Sequence, residues 1–204
     1  AGGKLEKSKL EEIIKFCKKN NLNFFSMYGQ TEASPRISYL KPEFSQKKIG
    51  SIGKAIPGNK IYIIDDIGKK IHKPFVEGEI ICEGKNVFMG YSKNYMDLKN
   101  INEQKNKLKT GDIGYFDKDG FFYITSRISK IAKIFGNRID LGALENFMNN
   151  KGYKVACLSD NKKIFIFIEK KYSKKHLIDT ISKITNLNIS SFELIKLKNL
   201  PRTS

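Results

Sequence analysis

Leu10, Ile13, Ile14 and Cys17 are spaced three and four residues apart, the repeat of one helical face. Ser8 followed by Glu11 forms a capping-box pattern at the start of this helix, and Asn20 with Asn21 stops it. A strand is expected next, over residues 22 to 27. From about residue 49 to 125 the period shortens to that of strands. Gly50-Ser51-Ile52-Gly53 and Pro57-Gly58 punctuate turns, Lys60 to Ile64 alternates, and Asp65-Asp66-Ile67-Gly68 offers a hairpin connection. Glu79 to Cys82 and Phe121 to Ile124 read as further short strands, the last preceded by the turn Asp117-Lys118-Asp119-Gly120. A small antiparallel sheet or distorted barrel is the expected product. Residues 86 to 108 are polar and lysine-rich after Asn86-Val87-Phe88-Met89-Gly90-Tyr91, and read as a mobile connection ending at Thr110-Gly111-Asp112.

Beyond Arg127 the pattern changes again. Ile128 to Phe135 reads as a strand pair, Leu141 to Asn149 as a short helix, and Tyr153 to Ser159 and Ile164 to Glu169 as strands around an Asp160-Asn161 turn. Ser173 to Thr185 carries Leu177, Ile178, Ile181 and Ile184 on one face, and Phe192 to Leu197 is a final strand. The expected class is therefore α/β followed by α+β. Residues 1–128 (helix, strand, barrel-like antiparallel sheet) and 129–204 (a small α+β module) would form separate domains, with the junction near 126 to 130.

A chain of 204 residues, 40% of them hydrophobic, can bury one good core or two modest ones. The formal charge of +17 invites a nucleic-acid reading. Against it, the 38 basic residues include only four arginines, Arg36, Arg127, Arg138 and Arg202, and the 34 lysines are scattered through every segment. Base reading favours arginine, so a solvated lysine surface is expected and no nucleic-acid partner. Cys17, Cys82 and Cys157 are odd in number and far apart, and His72 and His176 are isolated. Neither a disulfide framework nor a zinc site is expected, which suits a reducing, cytoplasmic setting. No apolar run is long enough to span a bilayer, and a soluble chain is expected.

The chemistry concentrates in Phe24-Phe25-Ser26-Met27-Tyr28-Gly29-Gln30-Thr31-Glu32-Ala33-Ser34. Gly29 would let the backbone approach a ligand. Thr31 can donate to a phosphoryl oxygen, Glu32 can hold Mg²⁺, and Tyr28 can stack on a base. By itself the stretch fits a strand and a polar turn equally well. Asp112 could accept both hydroxyls of a ribose, although Thr-Gly-Asp alone would ordinarily be a turn or a helix cap.

Three signatures in order raise the functional reading. Tyr28-Gly29-Gln30-Thr31-Glu32 resembles the Tyr-Gly-x-Thr-Glu element of the adenylate-forming (AMP-binding) superfamily, which includes acyl-CoA synthetases and peptide-synthetase adenylation domains. Lys109-Thr110-Gly111-Asp112 is similar to its Thr-Gly-Asp element. Residues 126 to 145, from Ser126-Arg127 through Lys133, Gly136 and Arg138 to Glu145, resemble its Gly-Arg-x-Asp-x-x-x-Lys-x-x-Gly-x-Arg-Ile-x-x-x-Glu-x-Glu element.

The resemblance implies an ATP-dependent ligase. A carboxylic acid is converted to an acyl-adenylate, then to a thioester of CoA or of a pantetheine carrier, with Mg²⁺ attending the nucleotide. It implies adenine contacts at Gly2 and Gly3, phosphate and metal contacts at Thr31 and Glu32, and ribose contacts at Asp112 and Arg127. The residue two after the arginine, Ser129, would be the hinge of a mobile lid. Lys133 would serve the thioester step and Gly136 would leave room for the pantetheine arm, while Arg138 braces the module. Met27 and Gly29 would form one wall of an acid pocket. Ser126, Ser129 and Ala143 depart from the family's usual Gly, Asp or Lys, and Glu, which touches hinge behaviour and docking. No upstream phosphate loop is present, and Leu200-Pro201-Arg202-Thr203-Ser204 resembles the family's closing Leu-Pro-x-Thr-x-x-Gly-Lys short of its lysine. A C-terminal part of a ligase, inactive alone, is expected. An adenylation domain serving a carrier protein and a non-catalytic module of the same fold remain alternatives.

Overall fold

The computed structural model of the chain describes residues 5–92, 94–99, 105–169 and 174–200. Gly2, Gly3, Ser173 and residues 201–204, all used above, lie outside them. The chain divides into two compact units, Ala1–Thr125 and Ser126–Ser204.

The first unit begins with α1 (Lys7–Lys19), which buries Leu10 and Ile14. The capping box expected at Ser8 does not form. The N-cap is Glu6, without a side-chain cap bond, and Ser8 lies inside the helix. The C-terminus is closed instead by a Schellman motif. Asn21 adopts φ +54, and the Leu22 N–H donates to Cys17 O at 2.8 Å. The cap takes Leu22 from the strand expected at 22–27, and the strand observed, β1, is the shorter and later Ser26–Tyr28.

β1 opens an eight-stranded sheet with β2 (Ser38–Leu40), β3 (Ser51–Ala55), β4 (Lys60–Ile64), β5 (Lys70–Ile71), β6 (Gly78–Glu83), β7 (Lys107–Phe116) and β8 (Phe122–Arg127). The spatial order is β1-β2-β3-β8-β7-β6-β4-β5, an open sheet rather than a closed barrel. The Asp65–Gly68 turn joins β4 to β5 as expected, with Gly68 N–H donating to Asp65 O at 3.0 Å. Ile63, Ile80, Ile81 and Cys82 are fully buried, and each of the three isoleucines contributes roughly 1.5–3 kcal/mol. Ala33, Ile37, Cys82, Val87 and Leu108 form a core cluster against which Tyr28, Ile61 and Phe88 pack.

Two expectations for this unit are corrected. Of the connection expected over 86 to 108, residues 93 and 100–104 lie outside those described, while its start is fastened to the Thr31–Arg36 segment: Phe88 N–H donates to Glu32 O at 2.8 Å, and Asn86 Nδ2 to Ala33 O at 2.6 Å and Arg36 O at 2.8 Å. Thr110-Gly111-Asp112 is not the end of a connection but the middle of the ten-residue β7. Here β7 bulges, since Glu79 pairs with Ile113 and Ile81 with Lys109, so that residues 110 to 112 face the single residue Ile80. Gly111 at φ +70 makes the bulge possible.

The second unit has its own core. β9 (Ile131–Ile134) and β10 (Asn137–Asp140) form a hairpin across Phe135-Gly136. The strand pair expected over 128–135 is thus displaced, because a helical turn occupies Ile128–Lys130. Asp140 caps α2 (Leu141–Asn150), accepting from Ala143 N–H at 2.9 Å. β11 (Val155–Ser159), β12 (Ile164–Glu169) and β13 (Phe192–Leu197) make a three-stranded sheet, antiparallel then parallel, with α3 (Lys174–Thr185) as the crossover. The strict alternation Ile164-Phe165-Ile166-Phe167-Ile168 puts all three isoleucines at 0% exposure, in one cluster with Leu144 and Met148 of α2 and Leu177 and Ile181 of α3.

Candidate functional site

The site grows from the β7 bulge. A three-against-one bulge leaves main-chain groups without ladder partners, and this sequence satisfies them with side chains. The Thr110 hydroxyl donates to Ile80 O at 2.8 Å and accepts from Asp112 N–H at 3.1 Å. Glu79 Oε1 accepts from Gly111 N–H at 3.2 Å. Thr-Gly-Asp is therefore a structural device: glycine turns the strand, threonine seals the turn, and the aspartate is left with a set orientation.

Asp112 is only 4% exposed. Its Oδ2 accepts from Tyr28 OH at 2.6 Å and from Gln30 Nε2 at 3.1 Å, and the same Gln30 amide donates to Thr110 O at 2.8 Å. Tyr28 and Gln30 are placed for this by Gly29. A Cβ there would lie 1.5 Å from Pro35 O, so the close approach that Gly29 permits is that of the chain's own Pro35 carbonyl. The Ile37 N–H to Tyr28 O bond at 2.9 Å closes the same turn. Tyr28, read above as a base-stacking group, here packs on the core cluster and spends its hydroxyl on Asp112.

Thr31 and Glu32 follow directly, in a short helical turn Thr31–Ala33. Thr31 is exposed and Glu32 half-buried. Glu32 Oε1 accepts a short hydrogen bond from Tyr91 OH, and that bond to the carboxylate pushes the Tyr91 phenol above its ordinary pKa. No group of three or more His, Cys, Asp and Glu able to hold a metal occurs among the described residues. A hydroxyl and one carboxylate nevertheless suit Mg²⁺ that brings phosphate oxygens and waters of its own.

In the first unit, then, the structure brings together Tyr28, Gln30 and Asp112, with Thr31 and Glu32 next along the same turn. Gly2 and Gly3 lie outside the described residues, and the other candidates belong to the second unit. Arg127 is exposed at the end of β8, and Ser129 is exposed in the turn Ile128–Lys130. Ser126 Oγ, where the family has glycine, is buried with no hydrogen-bond partner among the described residues. Lys133, exposed on β9, sits opposite Arg138 of β10, and its N–H donates to Asn161 Oδ1 at 3.2 Å. Gly136 at φ +79 shares the hairpin tip with Phe135 at φ +47. Glu145 binds Lys130 Nζ at 2.8 Å and accepts from Cys157 N–H at 2.7 Å, tying α2 to β11.

Gln30, Asn86 and Tyr91 were not singled out from the sequence. Gln30 stands at a motif position open to any residue, and the Gly90-Tyr91 pair was the signal within the presumed mobile stretch. A separate open groove of about 730 Å³, lined by Leu22, Phe25, Tyr39 and Pro42 among others, contains none of the motif residues.

Residues 1–92 match the family described as AMP-binding enzyme. The 2-succinylbenzoate–CoA ligase of Bacillus subtilis (strain 168) is 35% identical over 139 residues, 67% of this chain and 27% of that protein. The ligase of the same name from Bacillus licheniformis is 40% identical over 130 residues, 64% of this chain and 26% of that protein. The chain thus spans about a quarter of the length of these curated relatives. Among solved structures, o-succinylbenzoate CoA synthetase (MenE) from Bacillus subtilis in complex with its acyl-adenylate intermediate superposes with a TM-score of 0.68. It is 30% identical, and the match covers 98% of this chain and 42% of that one. Another structure of the same synthetase is in complex with ATP and magnesium, with a TM-score of 0.66, 30% identity and coverage of 98% and 42%.

Proposed function

Because this chain belongs to the adenylate-forming, AMP-binding superfamily, we propose that it is part of an ATP-dependent, AMP-forming carboxylic acid:CoA ligase. On this reading residues 1–128 belong to the large nucleotide-binding domain and 129–204 to its lid. The observation that carries the reading is the hydrogen-bonded set of Tyr28, Gln30 and Asp112 beside Thr31 and Glu32. It orients a buried carboxylate from the segment whose next residues bring a hydroxyl and a second carboxylate, a set that suits a ribose, its phosphate and a divalent cation.

In the first step an oxygen of the acid attacks the α-phosphorus of ATP and pyrophosphate leaves. In the second, the thiol sulfur attacks the acyl carbon, loses its proton, and AMP leaves. Thr31 would hold a phosphoryl oxygen, Asp112 and Arg127 the ribose, and Glu32 the Mg²⁺, whose charge offsets that developing on the phosphates. Lys133 and Gly136 would face the thiol, with Ser129 at the hinge. A donor already fixed on Asp112 lowers the reorganisation needed when the ribose arrives. The names of the relatives support 2-succinylbenzoate as the acid. With no phosphate loop in its sequence, the 204-residue chain by itself would support little adenylation. The three unpaired cysteines suit a reducing, cytoplasmic setting.

The test is acid-dependent ATP–pyrophosphate exchange by the full-length product of the reading frame that carries this sequence. CoA and a pantetheinylated carrier protein would be compared as acceptors. Exchange with 2-succinylbenzoate and thioester formation on CoA are expected. Absence of exchange with any carboxylic acid, together with no AMP binding, would overturn the reading.

A further inference from the structure

We infer that Tyr91 is a positioning residue for the nucleotide's divalent cation, holding the Glu32 carboxylate in its cation-binding orientation through a strap formed by residues 84 to 91. The inference rests on the ligase reading above and deepens it.

The strap grips the Thr31–Ala33 turn at several points. Toward its start, Asn86 Nδ2 donates to Ala33 O and Arg36 O, and the Ser34 hydroxyl donates to Asn86 O at 3.0 Å. Val87 packs in the core cluster beside Ala33. Further on, Phe88 N–H holds Glu32 O at 2.8 Å, and its ring stands edge-on to Tyr91, centroids 4.8 Å apart at 75°. Tyr91 OH then donates to Glu32 Oε1. Main chain and side chain of one glutamate are thus held by two residues three apart, each of which braces the other.

A glutamate side chain on a surface turn samples several rotamers, and ordering it on binding costs free energy. A donor already on Oε1 lowers that cost, because the carboxylate is oriented before a cation arrives. A phenol suits the task because it is neutral: it orients the carboxylate without cancelling the charge that attracts a cation. Outer partners of ligating carboxylates act in this way in metal sites generally. Tyr91 itself is 73% exposed, so its ring is not there mainly to fill a core.

The test compares wild type and Tyr91→Phe in the full-length product, by titrating Mn²⁺ with ATP, followed by electron paramagnetic resonance, and AMP in the presence of EDTA. Phe keeps the ring contact with Phe88 and loses only the hydroxyl. Mn²⁺ affinity in the presence of ATP is expected to fall about tenfold, the usual effect of removing an outer-shell partner, while AMP affinity without metal changes less than twofold. In a Glu32→Gln background, Tyr91→Phe should add nothing, because the group it orients is gone. An unchanged Mn²⁺ affinity, an equal loss of AMP affinity, or fully additive effects would each overturn the inference while leaving the ligase reading in place. A wild-type protein that binds neither Mn²⁺ with ATP nor AMP would remove both.

Discussion

Thr110 offers the sharpest check on how the site is built. Its side chain sits in a residue only 6% exposed and serves two main-chain groups at once, Ile80 O and Asp112 N–H. Replacing it with valine preserves the shape and removes both bonds. Ile80 has no partner residue in the β6/β7 register, and water has little access to so buried a strand. Leaving one buried polar group unpaired costs about 1–3 kcal/mol, so Thr110→Val is expected to lose about 2–4 kcal/mol. Thr110→Ser keeps the hydroxyl and loses one methyl, about 1 kcal/mol. Urea unfolding with unchanged slope reads the loss, and amide exchange at Asp112, which loses its acceptor, reads its place. The Ser variant should lie between wild type and Val, and only Val should speed exchange at Asp112. A Val variant as stable as Ser, or one with wild-type protection at Asp112, would refute the view that threonine seals the bulge.

Gly29→Ala would put a methyl 1.5 Å from Pro35 O. The turn must open, and about 3 kcal/mol or more of stability should go with the Tyr28–Asp112 bond, an outcome visible as a lowered urea midpoint and a Tyr28 ring released in NMR spectra. Burial raises the Asp117 pKa, but Lys48 and the N–H groups of Phe121 and Asp119 outweigh it, and the net shift is downward. That contribution is present above the ordinary carboxylate pKa and is lost as the pH falls through the lower folded value. Stability should therefore drop below about pH 4, and Asp117→Asn should be less stable at pH 7 with that part of the acid dependence gone. Burial pushes the Cys82 thiol up to about 11 and the Cys157 thiol up to about 12, so at pH 8 a thiol reagent should modify the half-buried Cys17 well before either of them.

Several parts of this protein could be read residue by residue. The helix through Leu10 and Ile14, the alternating Ile164–Ile168 strand and the helix carrying Leu177 and Ile181 are amphipathic over their own length, so local periodicity names both the element and its buried face. The signature stretches at 28–32, 110–112 and 126–145 were equally legible as marks of the family, because they are residue types at short fixed spacings. What the sequence could not disclose is what those residues do for one another. Thr110-Gly111-Asp112 looks like a turn until β6 lies beside it and one residue faces three. The stretch Asn86 to Tyr91 looks like part of a mobile connection because its anchors, Ala33 O, Arg36 O and Glu32, lie fifty or more residues back. Gly29 shows the same limit, since the atom that demands glycine belongs to Pro35 only once the chain has turned back on itself. A period along the chain is written in its neighbours, whereas a hydrogen bond between distant residues exists only when the fold has met the entropy of closing the loop between them.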